Sequence, residues 1–469
     1  MKEKKTNILC STVDRASQNI KEHLLMHARW EKLEDIPRDF EGLVSVHENA
    51  QQRIIEIKEH HIYQDRIDEK MASCGYDTDL IIVASKHKSM DGRSLLTAHF
   101  TGNTKDADFG GRPGELSIPA PKIMCSILRN MESMARDTKY ITNMESTHHG
   151  PTEIRTPMVY AEIGSSEKQW SDPIAGDIVA RAIMNACPRE VPVGIGLGGG
   201  HYAARQTELI LKADVTFGHN FPDHQLPNVD ESMLKQAFER SNADFIYFDR
   251  KSVSSKERER LSIIIEKLRY PVLRESEIKE MQNIPWDIFI GIKEQCNRLC
   301  AEGRFRITEP LRLLIADALR QDPYPELPCL SLCSASRDLL REAINADRKR
   351  TAEILIGQAL AYIEEKNGNI SSYMLCIEEE SKTAMQNVTN ECIKILKEHY
   401  EIKYIPDENI LYIVRENFDP KAAKELGVPA GPMLGELARG KPIVVEGRTI
   451  EPYMAHKKSI KEIRLSNEI

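Results

Sequence analysis

The chain has 469 residues, 29% of them charged, and a formal net charge of −8. This length exceeds a single hydrophobic core and calls for two or more domains, while the acidic balance excludes a uniformly basic nucleic-acid coat and leaves room only for a local basic patch. The N-terminus MKEKKTNILCS lacks an apolar h-region and runs such as Leu80 to Ala84 are too short to span a bilayer, so the expectation is a cytoplasmic protein without a membrane partner.

Asn7 to Ser11 reads as an opening strand, followed by a helix from Asp14 to Ala28 with Ile20, Leu24 and Leu25 on one side. Strand signals recur at Leu80–Ala84, Met158–Ile163, Val191–Leu197, Val215–Phe217, Asp244–Phe248 and Pro271–Leu273. Helix signals lie between them at Pro121–Met134, Asp172–Cys187, from about Glu231, and Ser254–Leu268. The alternation predicts an α/β fold, a mostly parallel sheet with helices on both faces. Within it, VGIGLGGGHYAARQTELIL (Val193 to Leu211) reads as strand, glycine turn and helix, which makes the N–H groups of Gly198, Gly199 and Gly200 candidate oxyanion donors beside His201.

After Pro285 the pattern changes. Residues 286–372 show helical periodicity through Leu311, Leu314, Ile315, Leu319, Leu339, Leu340 and Ile344. Residues 373–469 mix strand and helix signals, with a hairpin predicted in EIKYIPDENILYIVRE. The domain expectation is therefore a catalytic part, 1–285, and a C-terminal α+β extension, 286–469. The ten cysteines read as thiols or metal ligands, not disulfides. Cys296 with Cys300 and Cys329 with Cys333 would share helix faces and could enclose a metal; buried, unliganded thiols are the plainer reading. Arg341, Arg348, Lys349 and Arg350 fall on one predicted helical region, as a phosphate contact or a solvated face.

The histidines gather in turn segments: SKHKS (His87), TAHFTGN (His99), STHHGPTE (His148, His149), GGGHY (His201) and FGHNFPDH (His219, His224). Imidazoles concentrated at strand ends and loops point to a reaction centre, with His224 read as a surface residue. Glu162, at the end of the apolar VYAEIG, is a candidate general base or partner of a ligand histidine; the alternative is a strand-end salt bridge. Ser165 and Ser166 read as helix caps. Gly194, Gly196 and Gly199 formally satisfy a dinucleotide fingerprint, but Asp214 precedes its strand and hydride transfer would leave THHGP without a role.

The stretches ASKHKS, LLTAHFTGN, STHHGPTEIRTPMVYAEIGSSEKQW, GIGLGGGHYAARQT, FGH and YFDRKS, in this order, resemble the archaeal and plant type D-aminoacyl-tRNA deacylase, in a long form with a C-terminal extension. Ala204 stands where that family usually has proline, which affects the stiffness of the first helical turn. The resemblance implies hydrolysis of the ester between a D-amino acid and the tRNA 3′-terminal ribose, a chiral proofreading reaction. It further implies zinc as cofactor, tRNA as partner, no DNA, a monomer, and a fold similar to peptidyl-tRNA hydrolase. Such chemistry needs an activated water, stabilisation of the oxyanion and protonation of the leaving oxygen. On this basis His148, His149, His201 and His219 are the expected zinc-ligand pool. Glu162, His87 and His99 are the expected catalytic or substrate-holding groups, and Lys86 and Lys251 the contacts to tRNA. A zinc-dependent hydrolase or phosphorylase of a small molecule, and a non-catalytic tRNA-binding protein, are the competing readings. Gly427 to Pro452 also looks like a segment of the tRNA 3′-processing endonucleases and is expected to be a tRNA-facing accessory element.

Overall fold

In the computed structural model, which describes residues 4–299, 303–322, 328–365 and 368–465, the opening strand β1 (Thr6–Ser11) lies inside an eight-stranded sheet. The other strands are β2 (Glu31–Lys32), β3 (Leu43–Glu48), β4 (Gln52–Ile57), β5 (Ile81–Lys88), β6 (Leu95–His99), β7 (Ile141–Met144) and β8 (Met158–Ser165), in the order β2-β3-β4-β1-β5-β8-β6-β7. Pairings β4/β1, β1/β5, β5/β8 and β6/β7 are parallel; β2/β3, β3/β4 and β8/β6 are antiparallel. A second sheet, all parallel, has the order β10 (Thr216–Phe221), β9 (Val193–Leu197), β11 (Phe245–Phe248), β12 (Val272–Leu273). The unit is thus mixed α/β with mostly parallel pairing. Central strands covered on both faces need continuous apolar runs, and all of β8 is buried.

The helices are α1 (Arg15–His27), α2 (Ile67–Ser73), α3 (Pro121–Ala135), α4 (Glu167–Trp170), α5 (Pro173–Met184), α6 (Ala204–Lys212), α7 (Glu231–Arg240) and α8 (Ser255–Leu268). Several start at side-chain caps: Asp14 accepts from the Ser17 amide, Asp172 from Ile174, Asp230 from Met233 and Ser254 from Glu257. Strands β2 to β4 have no counterpart in the sequence reading. Their run is interrupted by charges that are neutralised only in three dimensions. Buried Glu56 meets Lys21 (2.6 Å) and the Ser45 hydroxyl (2.7 Å), while Arg53 meets Glu48 (3.3 Å) and Asn7 (3.2 Å).

The described contacts divide the chain into two units, Met1–Gln282 and Asn283–Ile469. In the second, the stretch expected to be helical contains strands Arg304–Ile307, Leu330–Ser334 and Ala361–Glu364, which join Ile370–Ile377 in an antiparallel sheet. RFRI, LSLCS and AYIE complete barely two cycles of alternation, too little to outweigh the leucine periodicity around them. The hairpin is present: Glu401–Ile405 pairs with Ile410–Phe418, and Asn409 at the turn has φ +52°. Cys333 is buried in a strand while Cys329 is exposed, so the expected helix face carrying both is absent; Cys300 lies outside the described residues. The basic residues divide between two helices separated by Asp347, and Arg350 Nη1 donates to both carboxylate oxygens of Glu398 (2.9 and 2.7 Å). Among the described residues no helix is long and apolar enough to cross a membrane.

Buried Glu342 faces Arg415 and, at 2.8 Å, Lys461, and so ties the helix Arg337–Ala346 to two strands. Removing one partner of a fully buried pair costs about 3–5 kcal/mol. Because Arg415 is 30% and Lys461 37% exposed, Glu342→Ala is expected to cost less, about 2 kcal/mol. Faster amide exchange in residues 337–346 of the full chain checks this; unchanged exchange contradicts it.

Candidate functional site

Cross-strand registers decide which side chains meet. Ser85 on β5 and Thr97 on β6 both lie opposite Glu162 on β8; two positions along, His87 is opposite Gly164 and His99 opposite Tyr160. Opposed residues share a face and a strand repeats every two residues, so His87, His99, Tyr160 and Glu162 all project from one side of the sheet. Gly164 makes room for them: a Cβ there would fall 2.8 Å from the His87 ring.

The segment after β7 covers that face. Glu145 donates its amide to the Ala98 carbonyl (3.0 Å), Ser146 to His201 (2.8 Å) and Thr147 to Asn220 (2.8 Å). These bonds hold Glu145 to His149 between the end of β6 and the glycine turn after β9. His149 has φ +43°, a left-handed conformation that costs a non-glycine residue about 1 kcal/mol or more and persists only where its surroundings enforce it.

At the centre is Glu145, fully buried. His87 Nδ1 is 3.1 Å from its Oε1, and His201 Nε2 (2.9 Å) and His148 Nε2 (3.7 Å) approach its Oε2. Glu162 Oε2 lies 3.6 Å from His99 Nε2 and 4.0 Å from His87 Nδ1. The His99 ring is 4.4 Å from that of His148 and 4.9 Å from that of His149, centroid to centroid. Close as they are, these groups are poorly aligned for hydrogen bonding: both Glu145 oxygens and His99 Nε2 are buried without a hydrogen-bond partner.

Tautomers follow from the backbone. His148 Nδ1 is 2.8 Å from the Ser146 carbonyl, His149 Nδ1 2.6 Å from that of Gly150, and His99 Nδ1 3.2 Å from that of Phe100. A carbonyl only accepts, so each Nδ1 carries the proton, and the neutral rings of His148 and His149 keep their lone pairs on Nε2. Burial opposes charging of His99, but Glu162 beside its Nε2 raises its pKa above the usual imidazole value. Burial and the neighbouring His99 keep His148 well below the usual imidazole range and His149 at about 3, so both stay neutral. Burial opposes ionisation of Glu145, yet His201 and His87 hold it well below the usual carboxylate range.

Imidazole lone pairs and buried carboxylates facing one space are what a divalent cation satisfies. Among the described residues, three groups keep their ligand atoms within 4.8 Å of one another: His99, His148 and His149; His87, Glu145 and His201; His99, Glu145 and Glu162. Nitrogen and oxygen donors of this kind suit zinc and other first-row ions.

The structure therefore brings together His87, His99, His148, His149, His201 and Glu162. It does not bring His219, whose ring faces the Thr147 hydroxyl (Nδ1, 3.0 Å) and the Ser117 carbonyl (Nε2, 3.1 Å) and is spent on packing. The oxyanion expectation also needs correction for Gly198 and Gly199. Gly198 donates its amide to the Phe221 carbonyl and Gly199 to the Ser252 hydroxyl (2.6 Å), while the Gly200 carbonyl accepts from Ser146. Their left-handed φ values of +101° and +88° at Gly198 and Gly199 serve the turn itself. Helix α6 begins at Ala204, three residues past His201, so the imidazole is not at the start of that helix.

Gly196 accommodates Asn220 and Gln206, which leaves no opening for a pyrophosphate. Lys86 stacks its ammonium on Trp170 (5.3 Å) one residue before His87; Lys251 is exposed after β11. Ser165 donates to the Arg93 carbonyl and Ser166 caps α4, so neither pairs with a histidine. His224 is exposed beside Asp223. The sequence reading missed Glu145, although an acid directly after an apolar strand and three residues before His148 was a usable signal. It also missed Tyr202, whose hydroxyl is 2.8 Å from His87 Nε2.

Residues 74–273 match the family described as D-aminoacyl-tRNA deacylase. A D-aminoacyl-tRNA deacylase of Methanococcoides burtonii is 44% identical over 98% of this chain and 97% of its own. One from Methanosarcina acetivorans is 49% identical over 59% of this chain and 94% of its own. The crystal structure of a conserved protein of unknown function, 37% identical, superposes with a TM-score of 0.55 over 60% of this chain and 98% of that one.

If the cluster binds a divalent ion, His149→Ala weakens zinc affinity by at least about tenfold. His219→Gln leaves it unchanged. Equilibrium dialysis with elemental analysis checks both, and equal losses in the two variants would contradict the ligand assignment.

Proposed function

The chain belongs to the D-aminoacyl-tRNA deacylase family and hydrolyses the ester of D-aminoacyl-tRNA, and we propose that the buried Glu145 cluster is where this happens. The observation that carries the proposal is the conjunction at one point of a buried carboxylate and imidazoles with fixed tautomers. Esters are opened by water, and a dry, polar, preorganised pocket both activates water and stabilises charge developing on the carbonyl oxygen.

His99, His148 and His149 would hold a zinc ion through Nε2, and His201 and Glu145 offer adjoining donors. When bound, such an ion acts as a Lewis acid and lowers the pKa of water. The protein's own groups do the rest. Glu162, beside His99, takes the proton of the attacking water at Oε2. His87, between Glu145 and Tyr202, returns a proton to the ribose oxygen as the acyl C–O bond breaks. Tyr160 packs on the rings of His99 and His149 and keeps them oriented.

Lys86 and Lys251 remain our candidates for contacts to the acceptor strand. On this reading the enzyme is a cytoplasmic monomer, residues 1–285 catalyse with an architecture like that of peptidyl-tRNA hydrolase, and Gly427 to Pro452 of the extension form a tRNA-facing accessory element. Discrimination between D and L substrates then comes from which side of the α-carbon can face the imidazole wall.

The experiment is deacylation of D-tyrosyl-tRNA and L-tyrosyl-tRNA by the purified chain. The D-ester should be cleaved selectively, and Glu145→Gln should lower kcat by about 100-fold or more. A chelator should abolish turnover and added zinc restore it. Equal rates on both esters would contradict the stereospecific reading, and full activity of Glu145→Gln would contradict the site.

A further inference from the structure

The loop that leaves β6 after His99 folds back onto the His149 turn and is fixed there. Gly102 donates its amide to the His149 carbonyl (2.8 Å), Gly150 to the Phe109 carbonyl (2.9 Å), and Arg112 to the Thr152 hydroxyl (2.8 Å). The Thr101 hydroxyl donates to Pro151 (2.6 Å) and the Asn103 amide to Gly110 (2.9 Å). A loop held this firmly normally turns its apolar side chain inward. Phe109 does the opposite: its backbone is bonded to the residue after His149, yet the side chain is 63% exposed.

A second exposed aromatic lies next to the adjoining Gly110. Gly110 has φ +82° and no Cβ; a Cβ there would fall 1.9 Å from the Ile62 carbonyl oxygen and 3.3 Å from the Tyr63 ring. The two loops therefore touch, and Tyr63, 56% exposed, joins the same surface. Each aromatic is followed three residues later by an arginine. Arg66 (3.4 Å) and Arg112 (2.6 Å) both contact Glu153, and the two arginine side chains are 59% and 58% exposed. Lys105, Asp106 and Asp108 lie on the same loop as Phe109, so the surface offers arginine donors without a net positive charge.

Exposed rings beside arginines are the chemistry of single-stranded nucleic-acid binding, in which bases stack on aromatic faces and phosphates meet arginines. We propose that Phe109 and Tyr63 form a stacking platform for the 3′-terminal adenine of the substrate tRNA, with Arg66 and Arg112 facing its phosphate. This rests on the proposed deacylation at the adjoining cluster. The terminal nucleoside is unpaired and its ribose carries the scissile ester, so when the ester enters beside His149 its base is the one within reach of Phe109. Stacking there fixes the ribose and makes Phe109 a positioning residue.

The test uses the full chain and uncharged tRNA with 2-aminopurine in place of the terminal adenine. Stacking quenches this base, so wild-type protein should quench it on binding. Phe109→Ala should lose most of the quenching and raise KM for D-tyrosyl-tRNA about tenfold, within the range of one lost base–aromatic stack. Its kcat should stay within about twofold. Phe109→Trp should restore both, and Tyr63→Ala should show a smaller effect in the same direction. A merely structural role would not give rescue by tryptophan or a quenching change. Wild-type protein that cleaves D-tyrosyl-tRNA without quenching, or Phe109→Ala with wild-type quenching and KM, overturns the platform. Absence of cleavage by wild-type protein would instead overturn the reaction assigned to the cluster.

Discussion

The histidine cluster of the N-terminal unit is arranged around one constraint: Glu145 is fully buried, and although burial opposes its ionisation, His201 (2.9 Å) and His87 (3.1 Å) hold its carboxyl well below the usual range. A buried carboxylate is tolerated only when opposite charge or donors surround it. Here the surroundings are imidazoles, and those of His148 and His149 remain neutral because burial, more strongly than any carboxylate, sets their protonation. A fold optimised for stability alone would fill this space with apolar side chains. Keeping it polar is intelligible if the site accepts charge from outside.

The architecture explains how residues far apart in sequence converge. Parallel pairing of β5 with β8 and antiparallel pairing of β6 with β8 put His87, Glu162 and His99 on one face of the sheet. Strand β7, parallel to β6, delivers Glu145 to the rim, and the turn after β9 closes over it with His201 and Tyr202. Gly164 works by absence, since any side chain there would occupy the space of the His87 ring. The left-handed His149 is the local conformational cost of turning a second imidazole toward the same point as His148.

Much of this was legible in the sequence. The alternation of apolar strands and amphipathic helices is strong wherever strands are buried on both faces, as in β5 and β8, and the histidine-bearing turns stand out by composition. What was not legible depends on pairing across the sheet. His219 looked like its neighbours along the chain, but only the fold reveals that Thr147 and Ser117 occupy both its nitrogens. The glycine amides looked free because their acceptors, Phe221 and Ser252, are distant in sequence. Glu145 escaped notice for the converse reason: a single acid beside a pair of histidines says nothing about burial. In the extension, strands of four or five residues were masked by helical periodicity on either side.

The central claim is that this pocket is built to hold a cation among fixed Nε2 lone pairs and buried carboxylates. The most direct measurement is anomalous diffraction at the zinc edge from crystals of the full chain grown with zinc. The account predicts a peak bounded by His99, His148 and His149, with Glu145 or Glu162 at its margin. A peak at Cys333 or His219 with none in this cluster would contradict it.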